Sequence, residues 1–416
     1  MKRRLLAVLL IGCLLLSGCM SRQLEEQLLV IILAVDEMEN GDIRLSVKVP
    51  SNSGVNSSSG GGNGSSDTQQ MGYFLLEATG KTFPDAANLL HATTPRSLNF
   101  SQVREVVIGE RASRSSDFSG IIQSVYLLPQ MRAQTSLVVC GGEARPFIAE
   151  QKPYVGIRLS RYIETTLVNY AGKGFVPTTT LGDAVRDLGY GFQDPLLIYG
   201  AINPFDSVDH AYDSNVLDEQ AGELPRKSVN AIELFGAAAT DGVSVSGLLT
   251  GYETALLHLL SGTVQSLTIR CGDSAAVPIF ARSPAGLWVE IDTEKTVLGV
   301  RLLCEAHFTP GQNLNAEALR QTLAQDIHQT LVHLQRLRCD GMGFGNLASQ
   351  QFLTIQDWEA YHWREAYVSA DIQVNLALQI RNNSTKGMKQ LRGNPLLKSK
   401  AGSPYPSRKP IWICFF

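Results

Sequence analysis

The sequence predicts an α+β fold, a mixed multi-domain protein with antiparallel-rich sheets and packed helices. Strand-like and helix-like segments follow one another in mixed order without a sustained βαβ rhythm, which makes α+β the better class. Apolar residues make up 44% of the 416 positions and charged residues 18%, the proportions of an ordinary globular protein. A chain of this length supports about two or three domains and a sizeable core. With 36 basic and 39 acidic residues it is near neutral, which argues against nucleic acid as the main partner.

The chain opens on Lys2, Arg3 and Arg4, followed by an apolar stretch from Leu5 to Leu16. A basic start, an apolar run and small residues before a break are the parts of a secretory signal. The run is well short of the roughly 20 residues needed to cross a bilayer as a helix. It ends in Leu16-Ser17-Gly18-Cys19, which resembles a bacterial lipobox, in which the cysteine thiol receives a diacylglycerol and becomes the mature N-terminus. Residues 1–18 are therefore expected to be a signal peptide, and Cys19 the lipid attachment site. Two acyl chains suffice for stable anchoring, each buried methylene contributing about 0.8 kcal/mol.

Residues 19–204 form the expected N-terminal domain. Leu28 to Glu37 and Ile43 to Val49 are strand-like and flank Asn40-Gly41, a strong hairpin signal. Ser51 to Ser66 is almost entirely Ser, Gly and Asn, too polar to offset its ordering entropy, and reads as a flexible loop. Phe74 to Ala78 resumes a strand, and Thr82-Phe83-Pro84-Asp85 has capping-box spacing ahead of a helix through Leu90. Strands are expected at Val103–Ile108, Thr135–Val139 and Leu196–Ile202, and helices at Ile121–Leu127, Arg158–Tyr170 and Leu181–Leu188.

Residues 205–228 are an acidic linker, carrying Asp206, Asp209, Asp213, Asp218, Glu219 and Glu223. A C-terminal domain, 229–385, opens with strands at Ala231–Ala239 and Val243–Leu249 around Asp241-Gly242. Thr250-Gly251-Tyr252-Glu253 is a second capping box, starting a helix through Leu260. Strands follow at Leu287–Ile291 and Val297–Phe308. The clearest helix is Ala316–Leu337, in which Leu319, Leu323, Ile327, Leu331 and Leu334 recur at spacings of three and four. Gly341 to Gly345 ends it, Trp358 and Trp363 share a shorter helix, and Ile372–Ile380 alternates as a strand. Residues 386–416 are a basic tail with Pro395, Pro404, Pro406 and Pro410 and little to bury. It is expected to be disordered in isolation, either attracted to anionic lipid or dispensable.

No residue pattern nominates catalysis. Gly60 to Gly64 lacks the Lys-Ser/Thr of a phosphate loop. Gly341, Gly343 and Gly345 follow a helix instead of leading into one from a strand, unlike a dinucleotide fingerprint. His328 and His333 are five apart, directed away from a shared metal, and read as a solvated helix face. No G-x-S-x-G or S-x-x-K run is present. The acidic stretch lacks the ligand order of a calcium loop. Cys140, Cys271, Cys304, Cys339 and Cys414 contain no C-x-x-C pair. Cys140 and Cys304 end apolar runs as buried thiols, and one disulfide among the five stays open. No catalytic residue, metal or cofactor is expected; the chain reads as a binding or structural protein.

Three stretches taken together carry a family resemblance. The first is Gly18-Cys19 with Arg22 to Glu26, then Val30 to Asp36 and a hairpin. The second comprises Ala78 to Thr82, Asp85-Ala86, Pro95 to Leu98 and Val107-Ile108-Gly109-Glu110. The third runs from Gly236 through Gly247-Leu248-Leu249, Glu253-Thr254, Gln335, Asp340, Gly343-Phe344-Gly345, Trp358 and Trp363 to Ile380. In this order they resemble the Ger(x)C family, the lipoprotein C subunits of bacterial spore germinant receptors. Two departures stand out: Met20-Ser21 replaces the Trp-Asp usual after the lipidated cysteine, and the segment after Gly387 has no counterpart.

The resemblance implies a non-enzymatic lipoprotein on the outer face of the spore inner membrane. It would act with integral membrane A and B subunits in nutrient-triggered germination. The alternatives are a lipid-anchored extracytoplasmic solute-binding protein, against which the lack of an internal repeat counts, and an extracytoplasmic lipoprotein enzyme.

Overall fold

The computed structural model describes residues 26–51, 72–153, 158–204, 218–226, 228, 230–271, 275–292, 295–308 and 315–382. The signal segment, Cys19, most of the Ser/Gly stretch, Asp206, Asp209, Asp213, Cys414 and the basic tail lie outside them.

The first strands are β1 (Gln27–Leu29), β2 (Ile32–Glu37), β3 (Ile43–Pro50) and β4 (Tyr73–Gly80). Gly41, at φ +80°, supplies the left-handed residue that turns β2 into β3. The strand-like run from Leu28 is two strands, because β1 leaves this sheet and pairs in parallel with Ser97–Asn99. Next come α1 (Phe83–Ala92), that partner strand β5 (Ser97–Asn99), β6 (Glu105–Ile108), α2 (Glu110–Arg114) and α3 (Phe118–Tyr126). The first half closes with β7 (Ser136–Cys140), α4 (Ala144–Glu150), α5 (Leu159–Gly172), α6 (Leu181–Tyr190) and β8 (Leu196–Ile202).

Strands β9 (Ile232–Thr240) and β10 (Val245–Leu249) lie beyond the acidic stretch, yet they continue the sheet of the first half. The eight-stranded order is β10-β9-β8-β7-β6-β2-β3-β4. Its centre, β2, β6, β7 and β8, is parallel, and both flanks are antiparallel. Two crossovers, β6 to β7 and β7 to β8, are thus βαβ units. Each contains more than one helix, which hides the rhythm from a linear reading. The central strands are apolar on both faces, as buried parallel strands are. Leu33, Val35, Val106, Ile108, Leu137 and Val139 pack with α1, α3 and α6, whereas Ile32, Ala34, Val107, Val138 and Cys140 pack with α4 and α5.

The second half continues with α7 (Gly251–Ser261), β11 (Ser266–Cys271), β12 (Ala275–Ala281), β13 (Gly286–Ile291) and β14 (Thr296–Phe308). It ends with α8 (Ala316–Arg336), α9 (Phe344–Ser349), α10 (Ile355–Ala360), α11 (Trp363–Ser369) and β15 (Asp371–Asn382). Strand β14 is the spine of a five-stranded sheet: β15 runs parallel along its whole length, and β12 and β13 pair with it antiparallel. The α8 stripe, Leu319, Leu323, Ile327, Leu331 and Leu334, is wholly buried against this sheet together with α7. Trp358 and Trp363 do not share a helix. The chain breaks between them at His362, which sits at φ +53°, so they occupy α10 and α11. Helices and mixed sheets in this arrangement are an α+β fold.

Candidate functional site

A cleft of about 750 Å³ opens at the carboxyl ends of β2, β6 and β7. Its floor is Asp36, buried at the end of β2. The carboxylate accepts from the Ala144 and Arg145 backbone N–H groups at 2.6 and 3.1 Å, satisfying the first turn of α4. Arg44, beside it on β3, donates to Asp36 at 2.9 Å and to Glu143 at 2.7 Å. That hydrogen bond and charge hold the Glu143 carboxyl below its usual range. Gly109 is the residue that permits this: a Cβ there would overlap the Asp36 carboxylate. The loops after β6 and β7 lock together, Glu110 N–H donating to Gly142 O at 2.8 Å and Gly142 N–H to the Glu110 carboxylate at 3.1 Å. The walls carry Glu37, Glu39 and Asn40 on the β2–β3 side and Arg111 and Arg114 on α2.

Behind the floor lies a buried polar cluster. Lys48 and Glu105 flank Ile32 in register across β3, β2 and β6. The Lys48 ammonium donates to Ile148 O at 2.6 Å and Gln151 O at 2.7 Å, closing the carboxyl end of α4. Gln151 donates to Glu105 at 2.7 Å. Burial pushes Lys48 down to about 8 and Glu105 up to about 7.

A second assembly joins the two halves. Asp340 accepts from the Phe344 and Gly345 N–H groups at 2.9 and 2.6 Å and from the Trp363 indole at 3.2 Å. Asp194, just before β8, accepts from Asp340 N–H at 2.8 Å and from Arg364 at 2.7 Å. Arg364 also donates to Asp241 O beyond β9. Burial pushes Asp340 up to about 7, against three N–H donors that favour its charged form. Trp358 stacks on Trp363 with centroids 5.9 Å apart and meets Phe192 from the first half at 5.7 Å.

The residues that suggested a family are therefore spent on architecture. Lys81 pairs with Asp42 at 2.7 Å, Thr82 and Asp85 cap α1, and Gly109 admits Asp36. Glu253 closes the Thr250 capping box on α7 and bonds His333 at 2.7 Å. His333 is thus not simply on a solvated face, whereas His328 is exposed. Gln335 donates to Tyr367 O and Ala370 O at 2.7 and 2.9 Å. Gly343, at φ +73°, starts α9, whereas α8 is ended ahead of the glycines by Arg338, at φ +56°. Cys140, Cys304 and Cys339 are buried free thiols. Among the described residues no group of His, Cys, Asp and Glu is arranged to hold a metal ion. Arg44, Arg111 and Asp194 carried no signal in the sequence, because their partners Glu143, Glu39 and Arg364 lie 99, 72 and 170 positions away.

The fold is thus an eight-stranded sheet with helices on both faces, joined to a smaller helix-backed sheet. Residues 21–202 match the family described as spore germination protein N-terminal domain. Residues 236–384 match the one described as spore germination B3/GerAC like, C-terminal. The chain belongs to this GerAC-like family, also written Ger(x)C. It is 21% identical over 386 residues to the putative spore germination protein YfkR of Bacillus subtilis (strain 168), spanning 88% of this chain and 92% of that one. The solved structure of the GerBC protein shares the fold, with a TM-score of 0.50 at 16% identity, over 84% of this chain and 97% of that one.

Proposed function

We propose that this chain is the lipid-anchored C subunit of a spore germinant receptor, a non-enzymatic protein that works by contact with integral membrane A and B subunits. The observation that carries the reading is the match of both family domains, in order, across residues 21–202 and 236–384. The use of the motif residues for caps, junctions and close packing supports it, since a contact protein needs a rigid scaffold more than a reactive group. On this reading residues 1–18 are a signal peptide and Cys19 carries the diacylglycerol on the outer face of the spore inner membrane. A solute-binding protein with two similar lobes is less well supported, because the two sheets differ in strand number and topology.

The test is purification of the tagged full chain from spore membranes. Two multi-span membrane proteins should copurify in constant ratio, and Cys19→Ala should release the chain from the membrane and abolish the germination response. A wild-type chain recovered soluble with an unmodified Cys19 thiol, or alone from the membrane, would sink the reading.

A further inference from the structure

We propose that the cleft at the carboxyl ends of β2, β6 and β7 binds a small zwitterion, a molecule with a carboxylate and an ammonium a few bonds apart. Topology is the first support. After β6 the chain leaves to α3, which packs on the sheet face shared with α1 and α6; after β7 it leaves to α4, on the opposite face. The strand order reverses between β2 and β6, since β2 continues outward to β3 and β6 the other way to β7, and such a reversal is the usual ligand position beyond the carboxyl ends of a parallel sheet. The cleft lies at this place, and its volume of about 750 Å³ suits a small molecule.

The charge arrangement gives the ligand class. One wall, from the β2–β3 turn, presents Glu37 and Glu39; the facing wall, α2, presents Arg111 and Arg114, while the other two carboxylates of the walls are engaged, Glu110 by Gly142 N–H and Glu143 by Arg44. The pairs already made by these arginines are long: Arg111 to Glu39 is 3.5 Å, with Glu39 92% exposed, and Arg114 to Glu110 is 3.4 Å. The floor is tight by contrast, with Asp36 held by two backbone donors and Arg44. A rigid floor under loosely paired walls lets a ligand exchange partners without moving the scaffold. Its carboxylate takes a guanidinium from α2, in the geometry that suits a two-pronged contact, and its ammonium takes Glu39. Charge pairing is then conserved. A ligand with only one charge would leave the opposite wall stripped of its partner, so selectivity for the zwitterion follows from the site itself.

Binding to the isolated chain does not depend on the receptor reading, and either can fail without the other. The test is calorimetric titration of the full chain in nonionic detergent with a panel of the standard amino acids, and with acetate and methylammonium as single-charge probes. At least one zwitterion should bind saturably, with a Kd of about 1 mM or tighter, and both single-charge probes should bind at least about tenfold more weakly. Arg111→Gln combined with Arg114→Gln should weaken the zwitterion about tenfold or more while leaving the melting temperature unchanged, since both side chains are half exposed. Glu39→Gln should weaken it as well. No saturable binding by any member of the panel, equal binding of acetate or methylammonium, or full binding by the arginine variant would each overturn the proposal.

Discussion

At the scale of single residues, the buried cluster behind the cleft carries a definite pH dependence. Glu105 keeps its proton up to about pH 7 in the fold but only to about 4.5 in an unfolded chain. The folded state therefore holds the extra proton between those values, and stability falls as pH rises through that window. Lys48 has the opposite pattern: its lowered value, about 8 against 10.5, makes stability recover as pH climbs through that higher range. Glu105→Gln keeps the hydrogen-bonding shape without the charge. We expect it to remove Glu105's share of the decline between pH 4.5 and 7, on the order of 3 kcal/mol read from urea midpoints at both pH values, while the share of Asp340, also pushed up to about 7, stays. An unchanged pH profile would show that Glu105 does not titrate in this window. Gly109→Ala tests the neighbouring close approach. The added methyl should push Asp36 off the α4 amides and destabilise the first half by roughly 1–3 kcal/mol.

At the scale of elements, α8 is held by its stripe. Burying a leucine contributes roughly 1.5–3 kcal/mol, and Leu323→Ala or Leu331→Ala should cost about 2–5 kcal/mol in thermal unfolding. Full stability with lost partner binding would place the stripe at an interface instead. Thr250→Ala should cost about 1 kcal/mol through the α7 cap. These elements were legible because their signals are local: a heptad-like stripe, a Thr-x-x-Glu box, an Asn-Gly turn. Helix α4 was not legible. It has Pro146 in its first turn, and its amino end is capped by Asp36 from a strand 108 positions away. Strand β12 carries Pro278, a strand-breaking signal that a short edge pairing tolerates. The break at His362 was hidden because no Gly or Pro marks it, the histidine itself taking the left-handed position. The cleft was equally invisible: Asp36, Arg44, Glu110 and Glu143 meet only after the sheet has formed, and no spacing rule links them.

At the scale of the molecule, the two halves share a sheet and are joined by several polar contacts, among them His258 with Val176 O at 2.9 Å and the buried Asp194 junction. Asp194 and Arg364 come from opposite halves, and Asp340 bonds back to Asp194. Removing one member leaves buried polar groups unpaired, which costs more than the bond itself contributes. Asp194→Ala should therefore lower the melting temperature of the whole chain, and calorimetry should show whether the halves separate into two transitions. A single unshifted transition would mean that the shared sheet and the remaining contacts between halves, including Phe192 on Trp358, hold them without this junction.

The pairing of β8 with β9 has a consequence for how the chain matures. Until Ile232–Thr240 arrives, β8 is an unprotected border with its amides and carbonyls free to recruit another chain. A polypeptide stopped after Asn203 should then assemble with copies of itself instead of standing alone, and supplying the missing strands as a separate peptide should rescue it. Expression plans that split the protein where its family domains divide would cut through this border, and the nascent chain must cross the same exposed stage each time it is made.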